Sequence, residues 1–288
     1  MRVLVTGGGG QLGRALVAEA PDGIEVHALA RRQLDVTDPA AVARALETVR
    51  PDWVVNAAAY TAVDRAESEP DRALAVNRDG ARIVAEACRR HGCRMVHLST
   101  DYVFDGNRGT PYRPEDAPCP VNTYARSKLA GEEAVRSALG DRALILRTAW
   151  VYSVEGPSFL TTMLRLMRER EELRVVEDQV GTPTSARSLA RAVLRAAERN
   201  VSGTHHWTDA GVASWYDFAV AIAEEAAARG LIRRVPRIRP IPTRDYPTPA
   251  PRPAYSVLDK TSARRALGLE PVHWRRALGE LLGKQPAR

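Results

Sequence analysis

A glycine-rich turn that follows the first apolar run constrains the fold more than any other feature of the chain. Val3–Thr6 leads directly into Gly7-x-x-Gly10-x-x-Gly13, after which a helical pattern begins. This arrangement offers bare backbone N–H groups and a helix N-terminus with partial positive charge, and both suit a dinucleotide pyrophosphate. The turn therefore predicts a dinucleotide-binding site at the end of the first strand.

Apolar runs and helical patterns alternate along the first half of the chain. The alternation is typical of βαβ units and of a parallel sheet with helices on both faces. The predicted fold class is α/β, a Rossmann-type doubly wound parallel sheet with a smaller C-terminal substrate-binding lobe. Candidate strands are Val3–Thr6, Glu25–Ala30, Trp53–Ala57, Met95–Ser99, Leu144–Thr148 and Arg174–Val176; candidate helices are Leu12–Glu19, Ala40–Val49, Asp71–Arg90, Tyr124–Ser137, Phe159–Arg168, Thr261–Leu267 and His273–Leu282.

The pattern changes near residue 150, and Gly156-Pro157 then interrupts the chain. Val235–Pro253 is too rich in proline for a helix or a central strand, which favours an ordered surface segment over the substrate pocket. A plain linker is the alternative interpretation of that segment. The predicted division is a dinucleotide-binding domain over 1–150 with returning segments at 186–229 and 261–288, and a substrate-binding lobe over 151–185 and 230–260.

Composition narrows the classes of partner and compartment. The net charge is +7, but the basic residues are scattered and no nucleic-acid-binding motif is present, so we predict no nucleic-acid partner. No run approaches the roughly 20 apolar residues that a membrane helix needs, and the N-terminus lacks a signal-peptide pattern. Three cysteines without metal-ligand or redox spacing fit a reducing cytoplasm.

The end of the second strand bears on which dinucleotide binds. An acidic residue there accepts the ribose 2′-hydroxyl, whereas an arginine accommodates a 2′-phosphate. This strand ends at Ala30 and is followed by Arg31-Arg32, which favours NADPH through charge-assisted contacts to phosphate. Asp35 and Val36 are predicted to lie at the edge of the adenine. A solvated arginine pair is the alternative, so NADH stays open.

Tyr124 and Lys128 are the candidate catalytic pair. Four residues apart on a helix, their side chains share one face. A nearby ammonium favours the phenolate, which predicts a lowered tyrosine pKa and a usable acid near neutrality. The lysine is also predicted to hold the nicotinamide ribose. Ser99 or Thr100, at the end of a strand one βα unit earlier, is predicted to hydrogen-bond the substrate oxygen and orient it toward the tyrosine.

The order of these motifs resembles the extended short-chain dehydrogenase/reductase family, and within it the dTDP-4-dehydrorhamnose reductases. The resemblance covers nearly the whole chain. It implies NADPH-dependent reduction of the C4 ketone of dTDP-4-dehydro-L-rhamnose, with a nucleotide sugar as the partner. The segments that carry it are Asn56–Glu67, Ser99–Gly106, Tyr124–Glu132, Arg147–Tyr152, Asp178–Thr184 and Tyr246–Pro253.

The resemblance also implies roles for individual residues. Tyr124 would protonate the forming alkoxide, Trp150 would pack against the sugar, and Arg252 would bind the nucleotide diphosphate. Substrate contacts are expected from Thr100, Asp101, Tyr102, Trp150 and Arg252, and cofactor contacts from Gly7, Gly10, Gln11, Leu12, Gly13, Arg31, Asp35, Val36, Ala57, Ala58, Ala59, Leu98, Tyr124 and Lys128.

Two features leave alternatives open. Some members of the family dimerise through a magnesium site built from glutamates, but the first helix here begins Gly13-Arg-Ala-Leu without a carboxylate. We therefore predict no metal, while a homodimer stays open.

The rival functions are a 4-ketoreductase for another nucleotide-linked deoxysugar and a non-catalytic regulatory subunit of the same fold. The Tyr124–Lys128 pair argues against the regulatory subunit, which has no chemical need for it.

Overall fold

A six-stranded parallel sheet lies at the centre of the computed structural model, which describes residues 1–283. The strand order is β10-β5-β4-β3-β1-β2, so the chain winds outward in both directions from β1 and β3. Ligands of open α/β sheets bind at the carboxyl ends of the strands where the winding direction reverses. That point lies between β1 and β3, where the glycine-rich turn begins.

The helices and strands have the following bounds. Strands are β1 Arg2–Thr6, β2 Glu25–Leu29, β3 Trp53–Asn56, β4 Arg94–Thr100, β5 Ala143–Thr148, β6 Val151–Tyr152, β7 Glu172–Val176, β8 Val180–Gly181, β9 Thr184–Ser185, β10 Gly203–His206, β11 Ala213–Ser214 and β12 Arg237–Ile241. Helices are α1 Gln11–Ala18, α2 Pro39–Val49, α3 Val63–Ser68, α4 Pro70–Leu74, α5 Ala81–His91, α6 Thr123–Leu139, α7 Phe159–Glu169, α8 Ala186–Glu198, α9 Trp215–Ala228, α10 Thr261–Leu267 and α11 Trp274–Leu282.

The α/β prediction is confirmed, and the predicted strands and helices lie within a few residues of those observed. The helix predicted over Asp71–Arg90 is helical throughout, but it contains a π-helical turn at Ala75–Gly80 between α4 and α5. Arg174–Val176 is part of β7, which lies outside the central sheet. The sixth central position belongs instead to β10, whose polar sequence Gly-Thr-His-His has no apolar run to identify it.

Two apolar clusters cover the two faces of the central sheet. Alternate residues of β1 divide between them, with Val3 and Val5 on the face covered by α1 and α8, and Leu4 on the face covered by α2, α5 and α6. A strand buried on both faces must be apolar at every position, which explains its near-continuous sequence. The same burial holds the carboxyl ends of β1 and β3–β5 in fixed positions beside the glycine turn.

A third cluster forms the core of the smaller lobe. It joins α7 and β7 to α9 and α11, around Tyr152, Leu160, Phe218 and Leu278. Among the predicted returning segments, α8, β10 and α10 pack with the central sheet, while α9 and α11 contribute to this third cluster. Residues 284–288, the end of the predicted segment 261–288, lie outside the described residues.

The proline-rich segment Val235–Pro253 is ordered and contributes a strand. Its β12 pairs in parallel with β7 and contains Pro240, which is tolerated because a two-stranded sheet has only edge strands. Asp178 fixes the turn that follows, since its carboxylate accepts hydrogen bonds from the backbone N–H and hydroxyl of Thr243 at 2.8 and 2.6 Å. Within residues 1–283, no helix combines the length and apolar character needed to cross a membrane.

Candidate active site

The glycine turn brings the backbone of β1, β2 and β3 into close contact. Gly7 has a φ of +70°, and a Cβ there would lie 2.7 Å from the Ala58 nitrogen. A Cβ at Gly13 would lie 2.5 Å from the Gly8 Cα. Gly10 is the N-cap residue of α1 and makes no side-chain cap, so the first N–H groups of that helix face an open space. This is the backbone arrangement that binds phosphate groups at helix N-termini.

A cleft of about 550 Å³ opens above this turn, and we call it the outer cleft. It collects eleven of the residues predicted from sequence to contact a dinucleotide. They are Gly7, Gly10, Gln11, Leu12, Gly13, Arg31, Asp35, Val36, Ala57, Ala58 and Ala59. Three further lining residues that the sequence did not identify come from the loop after β6, namely Glu155, Gly156 and Pro157. The Gly-Pro interruption marked that loop, but only tertiary packing places it over the cleft.

Arg31 and Arg32 have different positions relative to the outer cleft. Arg31 lines it with a side chain that is 71% exposed, and its guanidinium lies 3.7 Å from the Asp35 carboxylate. Arg32 is exposed and is not among the residues that line the cleft. Hydrogen bonds from the Thr37 backbone and hydroxyl hold the pKa of Asp35 below its usual value. Asp35 therefore stays charged and balances Arg31.

A second cavity of about 310 Å³, the inner cleft, continues from the outer one. Gln11, Leu12 and Ala59 line both cavities, so they form one continuous surface. The inner cleft brings together six further predicted residues from β4, the turn after it, α6 and the loop between β5 and β6. They are Leu98, Thr100, Asp101, Tyr124, Lys128 and Trp150. Thr61 and Ala149 also line it; both lie in segments that carry the resemblance, but the sequence predicted no role for either.

Tyr124 and Lys128 lie on α6, which Asn122 caps by accepting a hydrogen bond from the Ala125 N–H at 2.8 Å. The Lys128 ammonium donates to the Leu98 carbonyl oxygen at 2.6 Å. Burial lowers the pKa of Lys128 to about 8, and the charge of Glu132 one turn later opposes this. The lysine is thus tied to the end of β4, beside the predicted catalytic residue Thr100.

The acidity of Tyr124 differs from the prediction. Burial raises the pKa of Tyr124 to about 12; contact with the Thr100 hydroxyl opposes this rise, and the Asp101 charge adds to it. The sequence predicted a lowered pKa from the neighbouring ammonium. That prediction was wrong for this structure, because desolvation of the phenolate outweighs any stabilisation by the lysine. At neutral pH the tyrosine is therefore protonated, which is the state that a proton donor requires.

Asp101 is a buried carboxyl group with an unusual pKa. Its Oδ1 accepts a hydrogen bond from the Thr100 hydroxyl at 3.1 Å, while its buried Oδ2 has no partner among the described residues. Burial raises the pKa of Asp101 to about 7. Because Asp101 lines the inner cleft, this oxygen is a candidate acceptor for a ligand hydroxyl.

Beyond the inner cleft, a groove of about 710 Å³ runs along the smaller lobe, and we call it the lobe groove. Tyr102 and Arg252 line it. Asp64 pairs with both terminal nitrogens of Arg252, at 2.5 and 2.8 Å. This pair joins α3 to the proline-rich segment. Arg174 and Tyr246 add a further charge and an aromatic ring to the groove.

No group of three or more His, Cys, Asp or Glu side chains in residues 1–283 has the arrangement needed to hold a metal ion. At the start of α1, Arg14 forms an ion pair with Glu155 at 3.4 Å. Near its end, Glu19 pairs with Arg187 and Arg191 of α8. These contacts attach α1 to its neighbours by ion pairs.

The chain matches the family model described as the RmlD substrate binding domain over residues 1–286. It is 46% identical to a dTDP-4-dehydrorhamnose reductase of Burkholderia thailandensis, with 97% of each chain covered. It is 39% identical to the enzyme of the same name from Escherichia coli, with 99% of this chain and 98% of the relative covered.

Solved structures agree with these sequence relatives. A dTDP-4-dehydrorhamnose reductase from Bacillus anthracis, solved in complex with NADP, superposes with a TM-score of 0.93 at 35% identity, and 99% of each chain is covered. A UDP-glucose 4-epimerase from Thermus thermophilus superposes with a TM-score of 0.80 at 22% identity, over 98% of each chain. The second likeness shows a shared fold.

Proposed function

The chain belongs to the RmlD substrate binding domain family, and from this membership we propose that it reduces the C4 ketone of dTDP-4-dehydro-L-rhamnose with NADPH. As a member it is an NADP-dependent oxidoreductase of the dTDP-rhamnose pathway. The observation that best supports this proposed reaction is that the outer cleft and the inner cleft are continuous. The cleft at the β1–β3 switch point opens directly onto Tyr124, Lys128 and Thr100.

The outer cleft suits a dinucleotide by shape and by charge. Gly7 and Gly13 have no space for a side chain, so the backbone can approach a pyrophosphate closely. Arg31 would contact the 2′-phosphate of the adenine ribose. Lys128, fixed on the Leu98 carbonyl, would hold the nicotinamide ribose. When bound, the reduced nicotinamide supplies a hydride to the carbonyl carbon of the substrate.

Tyr124 would supply the proton that the carbonyl oxygen takes up in the same reduction. With a pKa near 12 it holds its proton until negative charge develops on the substrate oxygen. The Lys128 ammonium then favours the phenolate that remains, since an opposite charge stabilises the ionised form. Thr100, whose hydroxyl contacts the tyrosine, would donate to the same oxygen in place of its hydrogen bond to Asp101 Oδ1.

The substrate would span the inner cleft and the lobe groove. The ketone belongs beside Tyr124, and the free Oδ2 of Asp101 would accept a hydrogen bond from a sugar hydroxyl. Arg252 and Tyr102 would contact the diphosphate, because a planar guanidinium suits paired phosphate oxygens. The nucleoside would then lie along the groove.

The test is an absorbance assay of NADPH and NADH oxidation with freshly generated dTDP-4-dehydrorhamnose. We expect rapid oxidation that is faster with NADPH, and dTDP-L-rhamnose as the product on a sugar-nucleotide column. A folded chain that binds NADPH but leaves this substrate unchanged would contradict the proposal. Turnover of a different nucleotide-linked 4-keto sugar in the same assay would reassign the substrate and keep the reductase chemistry.

A further inference from the structure

Two tryptophans stack face to face between the inner cleft and the lobe groove. The ring centroids of Trp150 and Trp215 are 3.5 Å apart and the ring planes differ by 5°. Trp150 lines the inner cleft, and Trp215 lines the groove. The pair therefore lies between the two cavities, with one ring in the lining of each.

Trp150 holds a backbone conformation that bulky residues rarely adopt. Its φ is +47°, in the left-handed region, where a large side chain is an outlier. Such strain persists only where surrounding contacts impose it. The Trp215 ring covers one side, and Gly181 packs so closely that a Cβ would lie 2.6 Å from the Trp150 ring. The Trp150 carbonyl also accepts a hydrogen bond from the Thr184 N–H at 3.1 Å.

Trp215 is itself held rigidly. It is the first residue of α9, which starts with a capping box between Ser214 and Asp217. Its Nε1 donates to the Gln179 Oε1 at 3.2 Å, and the Gln179 amide donates to the Thr243 hydroxyl at 3.1 Å. The position of the Trp150 ring thus depends on α9 and on the segment after β12, neither of which follows it directly in sequence.

We propose that Trp215 is a positioning residue that sets the specificity for the sugar by fixing the Trp150 ring at the mouth of the inner cleft. The inference rests on the proposed function. Through the stack, Trp215 determines how far a sugar ring enters beside Tyr124. Loss of the stack would release the strained Trp150 backbone and move its ring. The effect should fall on sugar binding, because neither tryptophan lines the outer cleft.

The experiment measures KM for the keto sugar and for NADPH in four variants. We expect Trp215→Ala to raise KM for the sugar about tenfold and to change KM for NADPH less than about twofold. Trp215→Phe retains an aromatic face, so its KM for the sugar should stay close to the wild-type value. Gly181→Ala keeps both tryptophans but pushes the Trp150 ring, so it should also raise KM for the sugar.

Trp274→Phe is the matched control. Trp274 is a buried tryptophan of the same lobe core and lines neither cleft nor groove. Its substitution should leave both KM values unchanged. The inference is overturned if Trp215→Ala and Gly181→Ala leave KM for the sugar unchanged, or if the control raises it equally. If the wild-type chain does not turn over the keto sugar, that result contradicts the proposed function and, with it, this inference.

Discussion

Burial decides the ionisation state of the side chains in the inner cleft. It raises the pKa of Tyr124 to about 12 and that of Asp101 to about 7, and it lowers that of Lys128 to about 8. Each shift disfavours the charged form, as desolvation requires. The cleft therefore keeps a neutral acid beside a carboxyl group that titrates near neutrality.

Tyr124→Phe removes the phenolic proton while it preserves the ring. We expect turnover to fall by at least about 100-fold, the usual minimum for loss of a general acid, with NADPH affinity nearly unchanged. Initial rates of NADPH oxidation and a fluorescence titration of NADPH measure the two effects. Tyr216→Phe, outside the clefts and the groove, serves as the control. Near-normal turnover in Tyr124→Phe would exclude this tyrosine as the proton donor.

Asp101→Asn should stabilise the protein in a pH-dependent way. The folded state keeps the Asp101 proton up to about pH 7, whereas the unfolded state releases it near the ordinary aspartate pKa of 3.8. Between these values folded molecules bind more protons, so wild-type stability falls as pH rises. Within this window, the free energy of unfolding of the variant should rise relative to that of the wild type by about 1.4 kcal/mol per pH unit. Above the window the difference should not rise further. Urea unfolding at pH 5, 6, 7 and 8 measures the difference, and a constant difference would contradict the assignment.

At the scale of elements, the outer cleft depends on how closely β1, α1 and β2 approach one another. Gly8 donates its N–H to the Leu29 carbonyl at 2.8 Å, and a Cβ there would lie 2.5 Å from the Ala28 carbonyl carbon. The residues after Leu29 therefore lie beside the glycine turn. This contact places Arg31 at the cleft, whereas Arg32 is not among the lining residues.

Arg31→Asp should change the cofactor preference of the reductase. A carboxylate at this position repels a 2′-phosphate and accepts a hydrogen bond from a 2′-hydroxyl. We expect kcat/KM for NADPH to fall about tenfold or more relative to that for NADH. Arg32→Asp makes the same charge change outside the cleft and should leave the ratio nearly unchanged. Equal effects of the two substitutions would indicate a long-range charge effect instead of a contact.

At the scale of the whole molecule, the Asp64–Arg252 pair joins α3 to the proline-rich segment at the lobe groove. Arg252 is half-buried, and Asp64 keeps its own pKa below the usual value through this pair. The Arg252 guanidinium also donates to the Ala250 carbonyl at 2.6 Å. Under the proposed function, the Arg252 side chain would therefore serve both substrate binding and lobe attachment.

Arg252→Gln should raise KM for the nucleotide sugar by about tenfold or more through loss of a diphosphate contact. Asp64→Asn weakens the lobe contact but keeps the guanidinium, so its KM should change less. Arg244→Gln, an 85% exposed arginine after β12, controls for net charge. A larger effect in Asp64→Asn than in Arg252→Gln would mean that the pair acts by holding the lobes together.

Local patterns determined much of this architecture and most of the site. The sequence predicted helices at Phe159–Arg168 and Thr261–Leu267, and the structure has them at Phe159–Glu169 and Thr261–Leu267, because helical hydrogen bonds join residues close in sequence. Motif spacing identified the outer cleft for the same reason: the glycine turn and the ends of β2 and β3 are local features of successive βα units. The sequence alone thus determined an α/β chain with a dinucleotide turn and a tyrosine–lysine pair.

Only the tertiary structure decided which distant segments meet. β10 and β12 gain their strand partners from residues about 60 positions away, so neither needs an apolar run of its own. The stack of Trp150 on Trp215 also joins residues far apart in sequence, and so does the packing of α9 and α11 in the smaller lobe. The acidity of Tyr124 is decided at this level too. Its helix brings Lys128 close, but the surrounding fold removes the water, and desolvation determines the sign of the pKa shift.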